Sequence, residues 1–148
     1  MTDLILAILH HVLAFGLVAM LASELVLLRG GTHLNVARLA RLDAGYGLSA
    51  GLLVVVGLCR VAFGAKGWAF YSDNPWFWGK IAAFIGVALL SLPPTIRFFG
   101  WRKAMIGNPH FHPTEKELEG VKRMVRLELA LVVVILICAA AMARYGQV

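Results

Sequence analysis

Charge is scarce in this chain. Asp, Glu, Lys and Arg make up 15% of its 148 residues, against about a quarter in an ordinary soluble domain. That leaves too little polar surface for a water-soluble fold. Cysteine is rarer still. Cys59 and Cys138 both fall in apolar stretches without CxxC spacing, so no disulfide framework is implied. There is no low-complexity tract and no obvious repeat. No GxGxxG, P-loop or GxSxG motif occurs. Acidic residues are also short, eight against 14 Lys and Arg, for a net charge of +6. Such a balance could suit nucleic acid, but the aromatic–basic interleaving of single-strand binding is missing. No nucleic-acid partner is expected.

What is abundant is apolar sequence. Hydrophobic residues reach 60% and the mean hydropathy is +0.79. They gather in four blocks, at about 4–28, 44–63, 76–99 and 124–143, each near the ~20 residues that cross a bilayer. The first block does not read as a cleaved signal. Asp3 stands where a positive segment should be, and the block is too long. The expected fold is all-α and polytopic: an up-down bundle of four transmembrane helices, one domain over residues 1–148, with the lipid bilayer as its surroundings.

The basic residues give the bundle a direction. With antiparallel neighbours, the first and third connections share a side. With the adjoining helix ends they hold Arg29, Arg38, Arg41, Arg97, Arg102, Lys103, Lys116, Lys122, Arg123 and Arg126, ten in all, against Arg60, Lys66, Lys80 and Arg144 on the other side. Cytoplasmic loops carry the excess of Lys and Arg. Both termini are therefore expected outside, in the periplasm if the membrane is a bacterial inner (plasma) membrane.

Local signals agree. Gly45-Tyr46-Gly47-Leu48-Ser49-Ala50-Gly51 offers small-xxx-small spacings for close helix approach. Trp76, Phe77 and Trp78 suit an interfacial aromatic belt. Pro93-Pro94 should kink or end the third span. Thr114 and Glu117 have capping-box spacing, which predicts a short surface helix before the fourth span.

Polar residues inside the spans fall into two layers. The outer layer holds His10 and His11, Arg60, Lys80, Cys59, Cys138 and Met142. The inner layer, near the arginine-rich side, holds Glu24, Tyr46, Arg97 and Glu128. His10 and Glu24 are 14 residues apart, as are Tyr46 and Arg60. That is close to four whole turns, so each pair shares a helix face. His10 is then the inward histidine, because His11 points about 100° away. Intramembrane ionisable residues usually face the bundle and mark function. Lys80 can also be read as snorkelling past Trp76 to the headgroups. Glu24 and Glu128 are expected to pair with Arg97 or Arg126 and so satisfy buried charge. His110-Phe111-His112 reads as a solvated loop, and His33 has no evident partner.

The stretches "ILHHVLAFGLVAMLASELVLLR", "YGLSAGLLVVVGLCRVAFGAKGWAFYSDNPWFWGKIAAF", "SLPPTIRF" and "RLELALVVVILICAAAMAR" resemble the membrane protein family called domain of unknown function 2214, over nearly the whole chain. That name implies no activity. An early histidine in the first helix and the lysine of "WGK" are similar to the HemJ-type protoporphyrinogen oxidases. They are also similar, as a related idea, to the membrane part of copper-resistance protein D. By position only His10 (or His11) and Lys80 correspond. The HemJ pattern has a further histidine on the lysine helix, where Leu90 and Ser91 stand here. This resemblance implies haem b and redox chemistry on a tetrapyrrole.

Three readings follow. The first is a haem- or quinone-binding redox protein. His10 would be an iron ligand with Met142 or Lys80, or two copies would each give a histidine, and Arg60 and Lys80 would hold carboxylate or carbonyl groups. The second is copper handling by His10, Cys59, Cys138 and Met142. The third is a non-catalytic accessory subunit or assembly factor of a larger membrane complex, with polar layers acting as interhelical glue.

Overall fold

The computed structural model describes residues 1–30, 34–64 and 67–144. His33 and Lys66 lie outside them. Five helices are described: α1 (Thr2–Leu28), α2 (Val36–Phe63), α3 (Gly67–Ser72), α4 (Pro75–Gly107) and α5 (Glu115–Arg144). The four long ones are long and apolar enough to cross a membrane, as expected, and no strand occurs among the described residues. The short α3 has no hydropathy signal. It begins at Gly67, whose φ of 72° suits glycine.

The helices form a ring in the order α1, α2, α4, α5, each packing on the next and α5 closing on α1. The closest pairs, α1 with α2 and α4 with α5, meet where glycine removes a side chain. A Cβ on Gly45 would lie 3.1 Å from the Met20 sulfur, and one on Gly86 would lie 3.1 Å from Leu131 Cδ1. Gly47 and Gly51 face open space instead, so only part of the expected small-residue stripe is used. The outer surface is apolar, with Val12, Phe15, Leu58, Leu89 and Ile137 among its exposed residues, as lipid contact requires.

Two expectations are corrected at the helix ends. α4 has 33 residues and α5 has 30. At 1.5 Å per residue both exceed a ~30 Å hydrocarbon core. The surplus is at the arginine-rich end, where Phe98, Trp101, Leu118, Val121 and Val125 bury against Leu28, Val36 and Leu39. Charged residues on the outer faces of these turns interrupt the hydropathy without interrupting the helix. The capping box forms: the Glu117 amide donates to Thr114 Oγ1 at 3.3 Å, and the Thr114 amide donates to Glu117 Oε2 at 3.0 Å. It opens α5 itself, not a separate surface helix.

Pro93-Pro94 does not end α4, which continues to Gly107. Two ladder donors are lost there, but stopping a helix inside the apolar layer would strand several more. Asn74 starts α4. Its side chain accepts from the Trp76 amide at 3.1 Å and donates to the Met142 carbonyl at 3.4 Å, which ties the start of α4 to the end of α5. Trp76 and Trp78 are exposed, as an aromatic belt needs. Phe77 is not part of that belt. It is buried against Tyr71, with ring centroids 5.4 Å apart.

Candidate functional site

The end of the bundle that carries both described chain ends gathers cations. His10 on α1 is half-buried and points to α2, where Gly57 leaves it room. A Cβ there would lie 3.6 Å from His10 Cε1. Arg60, one turn further along α2, and Lys80, near the start of α4, both lie within electrostatic reach of His10. Three helices thus deliver His10, Arg60 and Lys80 to one place. Lys80 does not run free to solvent. Its ammonium sits 5.7 Å from the centre of the Phe77 ring, and the buried Cys138 is close enough to interact with it electrostatically. His10 Nδ1 and Arg60 Nε are buried without a hydrogen-bond partner. Buried polar atoms are nearly always paired, and among the described residues these two are not.

His11 turns away, as its place on the helix requires. It is exposed, and its Nδ1 donates to the Ala7 carbonyl at 2.6 Å. It shares no site with His10, although the two rings lie edge to face 6.3 Å apart. Met142 is half-buried and is held through its carbonyl by Asn74. His110 and His112 stand in the connection between α4 and α5 and are exposed. Among the described residues no group of three His, Cys, Asp or Glu side chains is placed to hold a metal ion.

The arginine-rich end gathers acids. Glu24 on α1, Asp43 on α2 and Glu128 on α5 are all buried, at 2%, 4% and 1% exposure. They lie within electrostatic reach of one another. Tyr46 donates to Glu128 Oε2 at 3.1 Å, and Thr95 on α4 donates to Asp43 Oδ1 at 2.8 Å. Every long helix therefore contributes to one polar layer.

The expected arginine partners are absent from this layer. Arg97 is exposed and pairs with Glu117 at 2.7 Å, outside the acid layer; Arg126 is exposed as well. Arg97 stands two residues past Thr95 on α4, on the outward face, where a long cation reaches water more cheaply than it fills the bundle. Asp43 was not anticipated. It lies seven residues into α2, in a stretch whose arginines made it read as connection. Its spacing from Tyr46, three residues on, was the signal that places both on one face.

The family model described as "Predicted membrane protein (DUF2214)" matches residues 2–146. The chain belongs to that family. No curated protein and no solved structure matches it. This DUF2214 member is thus a multi-pass helical membrane protein with a cationic layer at one end of its interior and an acidic layer at the other.

Proposed function

We propose that the cationic end is a binding site for a flat, amphipathic ligand bearing carboxylate or carbonyl groups, a tetrapyrrole or a quinone head group, and that the protein acts on electrons through it. One observation carries this reading. His10, Arg60 and Lys80 converge from three helices, and two of their buried nitrogens have no partner among the described residues. Arg60 and Lys80 would bind the anionic edge through charge-assisted hydrogen bonds.

Haem b fits in part. His10 would supply one nitrogen to the iron, and Arg60 and Lys80 would pair with the propionates. A second histidine would come from another copy, since His11 faces outward. The resemblance of His10 and Lys80 to the HemJ-type oxidases supports the same reading. Among the described residues, the placement of His, Cys, Asp and Glu side chains lends the copper reading no support. We further propose that the arginine-rich end faces the cytoplasm of a bacterium and that both termini face the periplasm, from the ten-to-four division of Lys and Arg.

The test is the visible spectrum and extractable quinone content of the purified protein. A Soret band, or a stoichiometric quinone, is expected in the wild type. It is expected to be lost in Lys80→Met and retained in part in Lys80→Arg. Protein that carries neither, and binds neither when added, would be left with an accessory or assembly role.

A further inference from the structure

The acidic layer is not used by that reading and carries its own inference. Glu24 Oε1 and Glu128 Oε1 are buried and have no hydrogen-bond partner. Among the described residues the ion pairs are Arg97–Glu117 and Lys122–Glu119, and neither reaches the layer. The groups that face it are Glu24 from α1, Asp43 and Tyr46 from α2, Thr95 from α4 and Glu128 from α5. None is a base. A buried carboxylate must be paired, bound to a cation or neutralised by a proton. Three carboxylates within electrostatic reach of one another, with no counter-charge among the described residues, cannot all be ionised inside a membrane bundle. The same side chains are not arranged to hold a metal ion.

We propose that Glu24, Asp43 and Glu128 form a proton-binding site on the arginine-rich side, holding protons at neutral pH and exchanging them with the solution at that end. Protonation supplies what the geometry lacks. A protonated Glu128 still accepts from Tyr46 on one oxygen and can donate from the other, and a protonated Glu24 becomes a donor beside Asp43 and Glu128. Each group that ionises gives one proton to water and leaves one negative charge in the layer. The way out is short. Arg41 on α2 and Arg126 on α5 each stand two residues from an acid of the layer, and both are exposed, so the layer lies at the depth where cations stand on the outer faces of the helices.

Infrared spectroscopy of the full chain in detergent or bilayers tests this directly. At neutral pH the carbonyl stretch of protonated carboxyl groups is expected, shifting on transfer to deuterium oxide and shrinking in Glu24→Gln and in Glu128→Gln. Thermal stability is expected to fall as pH rises from neutral to alkaline. The folded layer holds protons that the unfolded chain releases, and the slope should flatten in the two Gln variants. A wild-type spectrum without protonated carboxyl overturns the proposal whether or not the variants fold. A band that does not shift in deuterium oxide overturns the exchange. Stabilisation by added sodium or calcium with no such band would assign the layer to a metal cation instead. None of these outcomes depends on a ligand at the cationic end.

Discussion

Tyr46 on α2 reaches Glu128 on α5 with a 3.1 Å hydrogen bond, although these two helices are not packing neighbours in the ring. The bond therefore crosses the middle of the bundle, between side chains that are 4% and 1% exposed. It links the α1–α2 half to the α4–α5 half where glycine-mediated packing does not. Tyr46→Phe should lower stability by about 1–3 kcal/mol, the cost of leaving a buried acceptor unpaired. Glu128→Gln keeps an acceptor for the hydroxyl and should cost less. Thermal unfolding in detergent ranks the two, and an unchanged midpoint in Tyr46→Phe would mean that this bond does not hold the halves together.

Two glycines inside spanning helices, Gly86 on α4 and Gly51 on α2, should behave in opposite ways. Gly86 faces Leu131 so closely that an added Cβ would come within 3.1 Å. Gly86→Val should cost about 1–3 kcal/mol through overpacking. Gly51 has nothing within 4 Å of its would-be Cβ. Gly51→Ala should be neutral or gain up to about 1 kcal/mol from helix propensity. Equal effects in unfolding measurements would contradict the packing described here.

At the start of α5, Glu117 has two tasks. It accepts from the Thr114 amide and hydroxyl and pairs with Arg97. Arg97→Ala removes only an exposed ion pair and should cost about 0.2–1 kcal/mol. Glu117→Ala also removes half of the capping box and should cost about 1 kcal/mol more. The amide exchange of residues 115–118 reads the difference, because only loss of the cap should fray that turn.

Four spans were legible because a run of apolar side chains is a local property. Their true ends were not. Val36, Leu39, Phe98, Trp101, Val121 and Val125 bury one face of helices whose other face carries arginines and lysines, and averaging along the sequence mixes the two faces. The inward turn of His10 and the outward turn of His11 followed from helix geometry alone. The shared inward face of Tyr46 and Asp43 follows from the same rule, but it needed α2 to begin at Val36. Arg97 was misplaced for a different reason. Charge pairing at the same depth is plausible from sequence, but which way a side chain faces depends on helix rotation, and that is set by the glycine contacts of α4 with α5.

Orientation can be checked without any ligand. With Cys59 and Cys138 replaced by Ala, single cysteines at Asn35 and Asn108 should resist an impermeant thiol reagent applied to intact cells and react once the membrane is opened. Reaction at either site in intact cells would reverse the proposed orientation.

The last prediction concerns Gly57, whose missing side chain makes the space that His10 fills. A Cβ there would lie 3.6 Å from His10 Cε1 and 3.9 Å from Nδ1, an ordinary contact. Gly57→Ala should therefore leave His10 in place, with ligand binding and stability near wild type. Gly57→Leu adds a branched chain that the gap cannot hold. It must push the imidazole away from Arg60 and Lys80, with strain of about 1–3 kcal/mol, which corresponds to roughly five- to 150-fold weaker retention of the proposed haem or quinone. The distant Tyr46–Glu128 bond begins 11 residues back along α2, about 16 Å of helix from this position, and it should be untouched. Added haem or quinone titrated into Gly57→Ala and Gly57→Leu separates the two cases, with thermal unfolding as the control for folding. Equal binding by both variants, with both folded, would show that His10 takes no part in holding the ligand.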